Sequence, residues 1–236
     1  MVTGEPEMLI YQKSVFAAYE EENMSVIANT VNTKGVMGAG LALEFRLRYP
    51  EYFEDYRKRC LADSPQPGDA WFCPGSGEIP GIVSLFVKDD WRKPTKPEWI
   101  RESLHKLLGI IRSEHIERIA VPLAGAGKGG IKPKVSLSMT EETMRCSQSE
   151  VFICLDKLPS LSEANMLSTL HSLDLPALQK LGLTRTAASK VIESLKEVTR
   201  FREILSQPGV GIKSYELLFK SLIVRAKPSS NQLHLF

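Results

Sequence analysis

Within residues 1–157, short apolar runs are each closed by small, turn-forming residues. Val26, Ile27 and Ala28 form one such run, and Leu41, Leu43, Phe45 and Leu47 follow it, mixed with Glu44, Arg46 and Arg48 as in an amphipathic helix. Ile82 to Val87 and Ile119 to Leu123 read as two more buried strands. From residue 158 onward the pattern changes. Leu178, Leu181, Leu183, Ala187, Val191, Ile192 and Leu195, then Phe201, Ile204, Leu205, Leu217, Leu218, Phe219 and Leu222, recur at helical spacing with no strand among them. Lys157 to Asn165, with Pro159 and several serines, reads as the linker between the two regions. The chain is therefore expected to be an α/β domain followed by a small all-α domain.

Glycine loops close two of the strands. The first lies between Asn29 and the amphipathic helix and carries Gly35, Gly38 and Gly40 in a G-x-x-G-x-G spacing, which is neither the Rossmann pattern nor the P-loop. The second carries Gly125, Gly127, Gly129 and Gly130. Glycines let backbone N–H groups turn toward an anion, and a following helix adds unpaired donors and the positive end of its dipole. In an open α/β sheet, loops leaving the carboxyl ends of strands gather at one crevice. The two loops thus suggest one pyrophosphate held from both sides.

The segments NTVNTKGVMGAGLALEF and VPLAGAGKGGI together resemble the macrodomain, an ADP-ribose-binding fold, and within it the branch of the DNA ADP-ribosyl glycohydrolase antitoxins and the terminal ADP-ribose glycohydrolases. The resemblance covers roughly residues 8 to 156. It implies a three-layer α/β/α fold with a mixed central sheet. It also implies an ADP-ribose site built from Asn29, Asn32, Gly35, Val36, Met37, Gly38 and Gly40 in the first loop region, and from Leu123, Gly125, Ala126, Gly127, Lys128 and Gly129 in the second. Asn32 would meet the distal ribose. A lysine attacks the anomeric carbon in that branch, and the matching position is Lys88 in FVKDDWRKP, although the segment before it is one residue shorter than in the antitoxins.

Lys88 also has a chemical argument of its own. A protonated amine is a poor nucleophile, so a catalytic lysine needs burial or nearby positive charge to lower its pKa. Asp89 and Asp90 act in the opposite sense unless they face solvent, and a solvated lysine in a charged loop is the plain alternative. Lys128 and Gly129 stand where the terminal glycohydrolases place an acidic partner, which favours a mechanism dependent on lysine alone. The usual macrodomain acid that reads adenine is replaced here by Gln12, Lys13, Ser14, Val15 and Phe16, so adenine recognition is expected to use backbone and stacking.

Composition limits the remaining classes. The chain has no stretch of eighteen apolar residues and no basic, apolar signal sequence, so no membrane partner is expected and residence is expected to be cytoplasmic, associated with the nucleoid. Cys60, Cys73, Cys146 and Cys154 lack metal-ligand spacing, so reduced, mostly buried thiols are expected, with neither metal nor cofactor. Residues 1–157 hold 20 Lys and Arg against 22 Asp and Glu, whereas residues 158–236 hold 10 against 6, which makes the tail the basic part.

Within that tail, ILSQPGVGIKSYELLFKSL resembles a helix-hairpin-helix motif, and LQKLGLTRTAASKVIESL a degenerate first copy centred on Gly182. A tandem pair is a DNA-binding arrangement that does not read sequence. Hairpin N–H groups at Gly209 and Gly211, with Arg185, Lys190 and Lys213, would hold phosphates. A helical protein-interaction module is the alternative. The terminal QLHLF resembles a peptide that docks into the bacterial sliding clamp, with Gln232, Leu233, Leu235 and Phe236 as contacts.

The expected organisation is a macrodomain at 1–157, a DNA-binding helical domain at 158–225 and a tail at 226–236. The expected activity is release of ADP-ribose from DNA bases, with acidic protein side chains as a further substrate. A reader that binds ADP-ribose without cutting it, and an enzyme of free ADP-ribose metabolites, stand as alternatives.

Overall fold

A computed structural model describes residues 7–226. It divides into two units, Met1–Leu158 and Pro159–Phe236. The first is built on a six-stranded sheet of β1 (Met8–Lys13), β2 (Val26–Asn32), β3 (Ala70–Cys73), β4 (Gly81–Lys88), β5 (Arg118–Pro122) and β6 (Glu150–Leu158). The strand order is β1-β6-β5-β2-β4-β3. All neighbours run parallel except the edge strand β3, which pairs antiparallel with β4, so the sheet is mixed.

Helices cover both faces because the central strands are apolar on both. Along β4, Val83, Leu85 and Val87 face one side, where α4 (Pro97–Ser113) and α5 (Pro133–Met144) pack with Ile100, Leu104 and Met139. Ile82 and Phe86 face the other, against α1 (Val15–Glu22), α2 (Gly40–Arg48) and α3 (Pro50–Asp63). Such two-sided burial gives a parallel strand its near-continuous hydrophobic run. The outcome is the three-layer α/β/α arrangement with a mixed sheet that the sequence suggested.

The second unit contains α6 (Leu161–His171), α7 (Leu175–Lys180), α8 (Arg185–Ser194), a 3-10 turn (Phe201–Ser206) and α9 (Ile212–Ala226). The boundary between the units falls inside the segment Lys157 to Asn165, but only Pro159 and Ser160 lie outside regular structure there, since β6 continues to Leu158 and α6 begins at Leu161. Ser160, one of the serines behind the linker reading, is the N-cap of α6, and its hydroxyl accepts from the Glu163 N–H at 3.1 Å. Phe201, Tyr215 and Phe219 form an aromatic cluster in this unit's core, with ring centroids 5.6 to 6.1 Å apart.

Cys60 and Cys154 are buried, but Cys73 is half-buried and Cys146 exposed, so fewer thiols lie inside than expected. No helix among the described residues is long and apolar enough to cross a membrane. Gln232, Leu233, Leu235 and Phe236 lie outside the described residues.

Candidate active site

Strands β5, β2 and β4 are consecutive and parallel, so the segments leaving their carboxyl ends open on one edge of the sheet. Those segments are the second glycine loop, the first glycine loop and the stretch after Lys88. Hydrogen bonds join all three.

The first loop runs from Thr33 to Ala39 and is organised by Asn32, the last residue of β2. The Asn32 Oδ1 accepts from the N–H groups of Lys34 (3.0 Å) and Val36 (3.4 Å), while its Nδ2 donates to the Val36 carbonyl at 2.6 Å. The Tyr56 hydroxyl donates to the Asn32 carbonyl. Gly35 is buried beneath the loop, Val36 is half-buried, and Gly38 is exposed. Gly40 opens α2, whose N-cap, Ala39, supplies no side-chain cap. The first N–H groups of α2 therefore lack the side-chain acceptor that would ordinarily occupy them, which is the condition for meeting an anion.

Asn29 is placed differently from the sequence expectation. It is fully buried in β2, and its Nδ2 donates to the Tyr52 hydroxyl at 3.2 Å and contacts Met37 Sδ at 3.9 Å, so it stands beneath the loop rather than at its surface. The Tyr52 hydroxyl lies 2.7 Å from Ser84 Oγ. Met37 belongs to the core on the α2 and α3 side. These two residues support the first loop from below.

The second loop is stitched to itself and to its surroundings. Ala126 N–H donates to Leu123 O at 3.2 Å, Ile131 N–H to Gly125 O at 3.1 Å, and Thr95 N–H to Gly129 O at 3.0 Å. Leu123 packs against the core on the α4 side. A Cβ at Gly129 would lie 2.4 Å from the Gly125 carbonyl oxygen, so the closed loop needs glycine there. Gly127 differs. It has no positive φ, and a Cβ on it would meet nothing within 4 Å.

Packing of the chain thus gives no reason for glycine at 127, whereas a ligand lying against the loop does. Gly127→Ala is expected to leave the melting temperature within a degree or so of the native value. It should weaken ADP-ribose binding about tenfold or more by steric exclusion, measured by calorimetry; unchanged affinity would show that nothing lies against this position.

Lys88 ends β4, and its side chain reaches across to the second loop. Its Nζ donates to the Lys128 carbonyl at 2.6 Å and to the Trp91 carbonyl at 3.4 Å. Its own carbonyl accepts from the Thr33 N–H of the first loop at 3.1 Å. Burial lowers the pKa of the amine below that of an ordinary lysine, and the charge of Asp90 opposes the shift. Asp89 is engaged elsewhere: its Oδ1 accepts from the Lys34 ammonium at 2.7 Å and lies 2.9 Å from Thr33 Oγ1, and these bonds hold its carboxyl below the usual range. The arrangement sets one partly desolvated amine against the second loop, and such an amine is suited to attack an electrophilic carbon once its proton is lost.

Thr33, Asp89 and Thr95 were not selected from the sequence, yet they tie the three segments together. Thr95 is buried, and its Oγ1 has no hydrogen-bond partner among the described residues, directly beneath Gly129. Its position in the proline-flanked run KPTKP was the available signal. Near the start of α1, Lys13 pairs with Glu21, and Ser14 accepts from Ala17 N–H at 3.2 Å as the N-cap.

The second unit carries a repeat with an offset of 27 positions. Gly182 precedes α8 with φ +99°, and Gly209 precedes α9 with φ +85°. Their packing is reciprocal. A Cβ on Gly182 would lie 3.1 Å from Leu217 Cδ2 of α9, and one on Gly209 would lie 3.0 Å from Lys190 Cγ of α8. Leu217 stands as far after Gly209 as Lys190 stands after Gly182. Leu183 and Val210, and likewise Val191 and Leu218, are buried at matching positions. Arg185, Lys190, Gly211 and Lys213 are exposed around the two turns, with Lys190 paired to Glu193 at 2.7 Å.

Comparison with known proteins bears on the first unit. The family model described as Macro domain matches residues 28–140. A DNA ADP-ribosyl glycohydrolase from Mycobacterium tuberculosis is 40% identical over 108 residues, covering 44% of this chain and 30% of that protein. The chain therefore spans less than a third of that relative's length. The solved macrodomain of Mycobacterium tuberculosis DarG superposes with a TM-score of 0.58 at 27% identity, covering 63% of this chain and 97% of that one. Thermosipho africanus DarTG in complex with ADP-ribose superposes at 0.54 with 22% identity, covering 56% of this chain and 38% of that one. The family match runs from within β2 to α5 and takes in both glycine loops, and the N-terminal unit of this chain has the macro-domain fold.

Proposed function

We propose that this protein is an ADP-ribosyl glycohydrolase that cleaves the N-glycosidic bond between ADP-ribose and a DNA base. The observation that carries the reading is the Lys88 amine, bonded to the Lys128 carbonyl of the second glycine loop at 2.6 Å, while the Lys88 carbonyl accepts from the Thr33 N–H of the first. The loops and the N-terminus of α2 would take the diphosphate, leaving the distal ribose toward the amine. Attack of the neutral amine on the anomeric carbon breaks the bond to the base nitrogen, which leaves with a proton from solvent. Water then breaks the carbon–lysine bond, giving free ADP-ribose and restoring the amine. The named relative supports this activity, and Lys128 and Gly129, in place of an acid, support dependence on lysine alone.

The second unit would keep the enzyme on DNA. Its reciprocal pair of glycine turns, with Arg185, Lys190, Gly209, Gly211 and Lys213, suits capture of backbone phosphates without base reading. Gln232, Leu233, Leu235 and Phe236 would then dock the tail to a sliding clamp, a reading that rests on the QLHLF sequence.

One observation favours a reader that binds without cutting: both partners of the Lys88 amine are carbonyls, which favour its protonated form. Incubation of the full chain with base-ADP-ribosylated single-stranded DNA and with carboxylate-ADP-ribosylated protein, followed by mass spectrometry, separates the readings. Free ADP-ribose and restored base are expected, faster than release from protein. Tight binding with no product from either substrate would establish the reader.

A further inference from the structure

We infer that Trp91, with Arg92 laid over it, is a stacking platform for the nucleobase adjoining the ADP-ribosylated nucleotide in single-stranded nucleic acid. The inference rests on the proposed substrate and deepens it by naming a contact outside the ADP-ribose moiety.

Trp91 alone of the three tryptophans is exposed, with 49% of its surface in water. Trp71 stands edge-on to Phe86 with centroids 4.5 Å apart, and Trp99 is half-buried beneath the Lys96 ammonium. The Arg92 guanidinium lies 4.8 Å from the Trp91 ring centroid, a cation–π pair that orders the ring before any ligand arrives. The Trp91 carbonyl is 3.4 Å from Lys88 Nζ, so the indole belongs to the residue that borders the amine. A turn fixes it there: Arg92 N–H donates to Asp90 Oδ1 at 2.9 Å and Lys93 N–H to Asp90 O at 3.0 Å.

Local charge points to a polyanion. Lys34, Lys88, Arg92, Lys93, Lys96 and Lys128 stand in these segments against Asp89 and Asp90, although residues 1–157 as a whole carry more acid than base. An exposed aromatic in a segment rich in cations is the recurring surface for a single strand, where a base stacks and the phosphate meets the charge. A carboxylate-linked substrate gains nothing comparable from an indole.

The test compares the full chain on an ADP-ribosylated trinucleotide, modified at its central base, with the matching ADP-ribosylated mononucleoside. So short a ligand limits contacts beyond the immediate neighbours of the modified base. The native enzyme is expected to favour the trinucleotide in kcat/KM. Trp91→Ala is expected to reduce that preference about tenfold, the scale of one lost base stack, and Trp91→Phe to retain most of it. An unchanged preference in Trp91→Ala overturns the proposal. If the native chain turns over neither substrate, the glycohydrolase reading fails separately. The preference is then measured by calorimetry as a ratio of dissociation constants, where a roughly tenfold drop in Trp91→Ala supports the platform and an unchanged ratio overturns it.

Discussion

Lys88→Ala is expected to lower ADP-ribose release from single-stranded DNA at least a hundredfold, the order expected for loss of a positioned nucleophile or proton-transfer group. Affinity for free ADP-ribose should change little by comparison, because the glycine loops hold the diphosphate. Lys88→Arg separates two roles. It keeps positive charge near the sugar yet stays protonated, so attack is lost while charge stabilisation survives. If Lys88→Ala releases product within about threefold of the native rate, lysine catalysis is eliminated.

The pH profile carries a second readout. Burial sets the Lys88 amine below the usual lysine range, so the neutral fraction and the rate rise with pH through that lowered value and then level. Asp90 opposes the shift, and Asp90→Asn therefore moves the rising limb toward lower pH. Asparagine preserves the carbonyl oxygen that accepts the Arg92 N–H at 2.9 Å, so the turn should survive. Motion of the limb toward higher pH would contradict the electrostatic account.

What the sequence disclosed and what it withheld divide along the range of the interactions involved. The strand, glycine loop and helix from Val26 to Arg48 were legible because apolar periodicity and glycine spacing are local signals. Lys88 was singled out by the resemblance, since its own chemistry left a solvated lysine in a charged loop as the plain alternative. The burial of Asn29 was not, because it is decided by Tyr52, 23 residues away, and by Ser84 behind that hydroxyl. An asparagine before a glycine loop reads as a turn former until the helix that covers it is known. The Thr95 bond to Gly129 and the Asp89 bonds to the first loop were hidden for the same reason, and so was the short edge strand β3, whose four residues carry little pattern. Serine and proline mark helix N-termini as readily as linkers, and Ser160 caps α6 through the N–H of Glu163, a partner held in turn by Arg200, 37 residues on.

That partner supplies the other large effect. Glu163 accepts from Arg200 Nε at 2.9 and 3.0 Å, from its terminal nitrogen at 2.7 Å and from the Phe201 N–H at 2.9 Å, with both side chains below a tenth exposed. Glu163→Gln keeps the shape but leaves a buried guanidinium without its carboxylate, which costs about 3 to 5 kcal/mol. A helical unit this small has little stability to spare. Amides of α6 to α9 should therefore exchange with solvent about a hundredfold faster or more, with amides of the macro-domain sheet as the internal reference. Adding Arg200→Met should recover part of the loss, since the stranded charge is then gone. Protection unaltered in Glu163→Gln would mean that the pair does not hold the unit together. Loss of protection accompanied by loss of DNA binding would tie phosphate capture to the folded unit, in which Gly182 lies against Leu217 of α9 and Gly209 against Lys190 of α8.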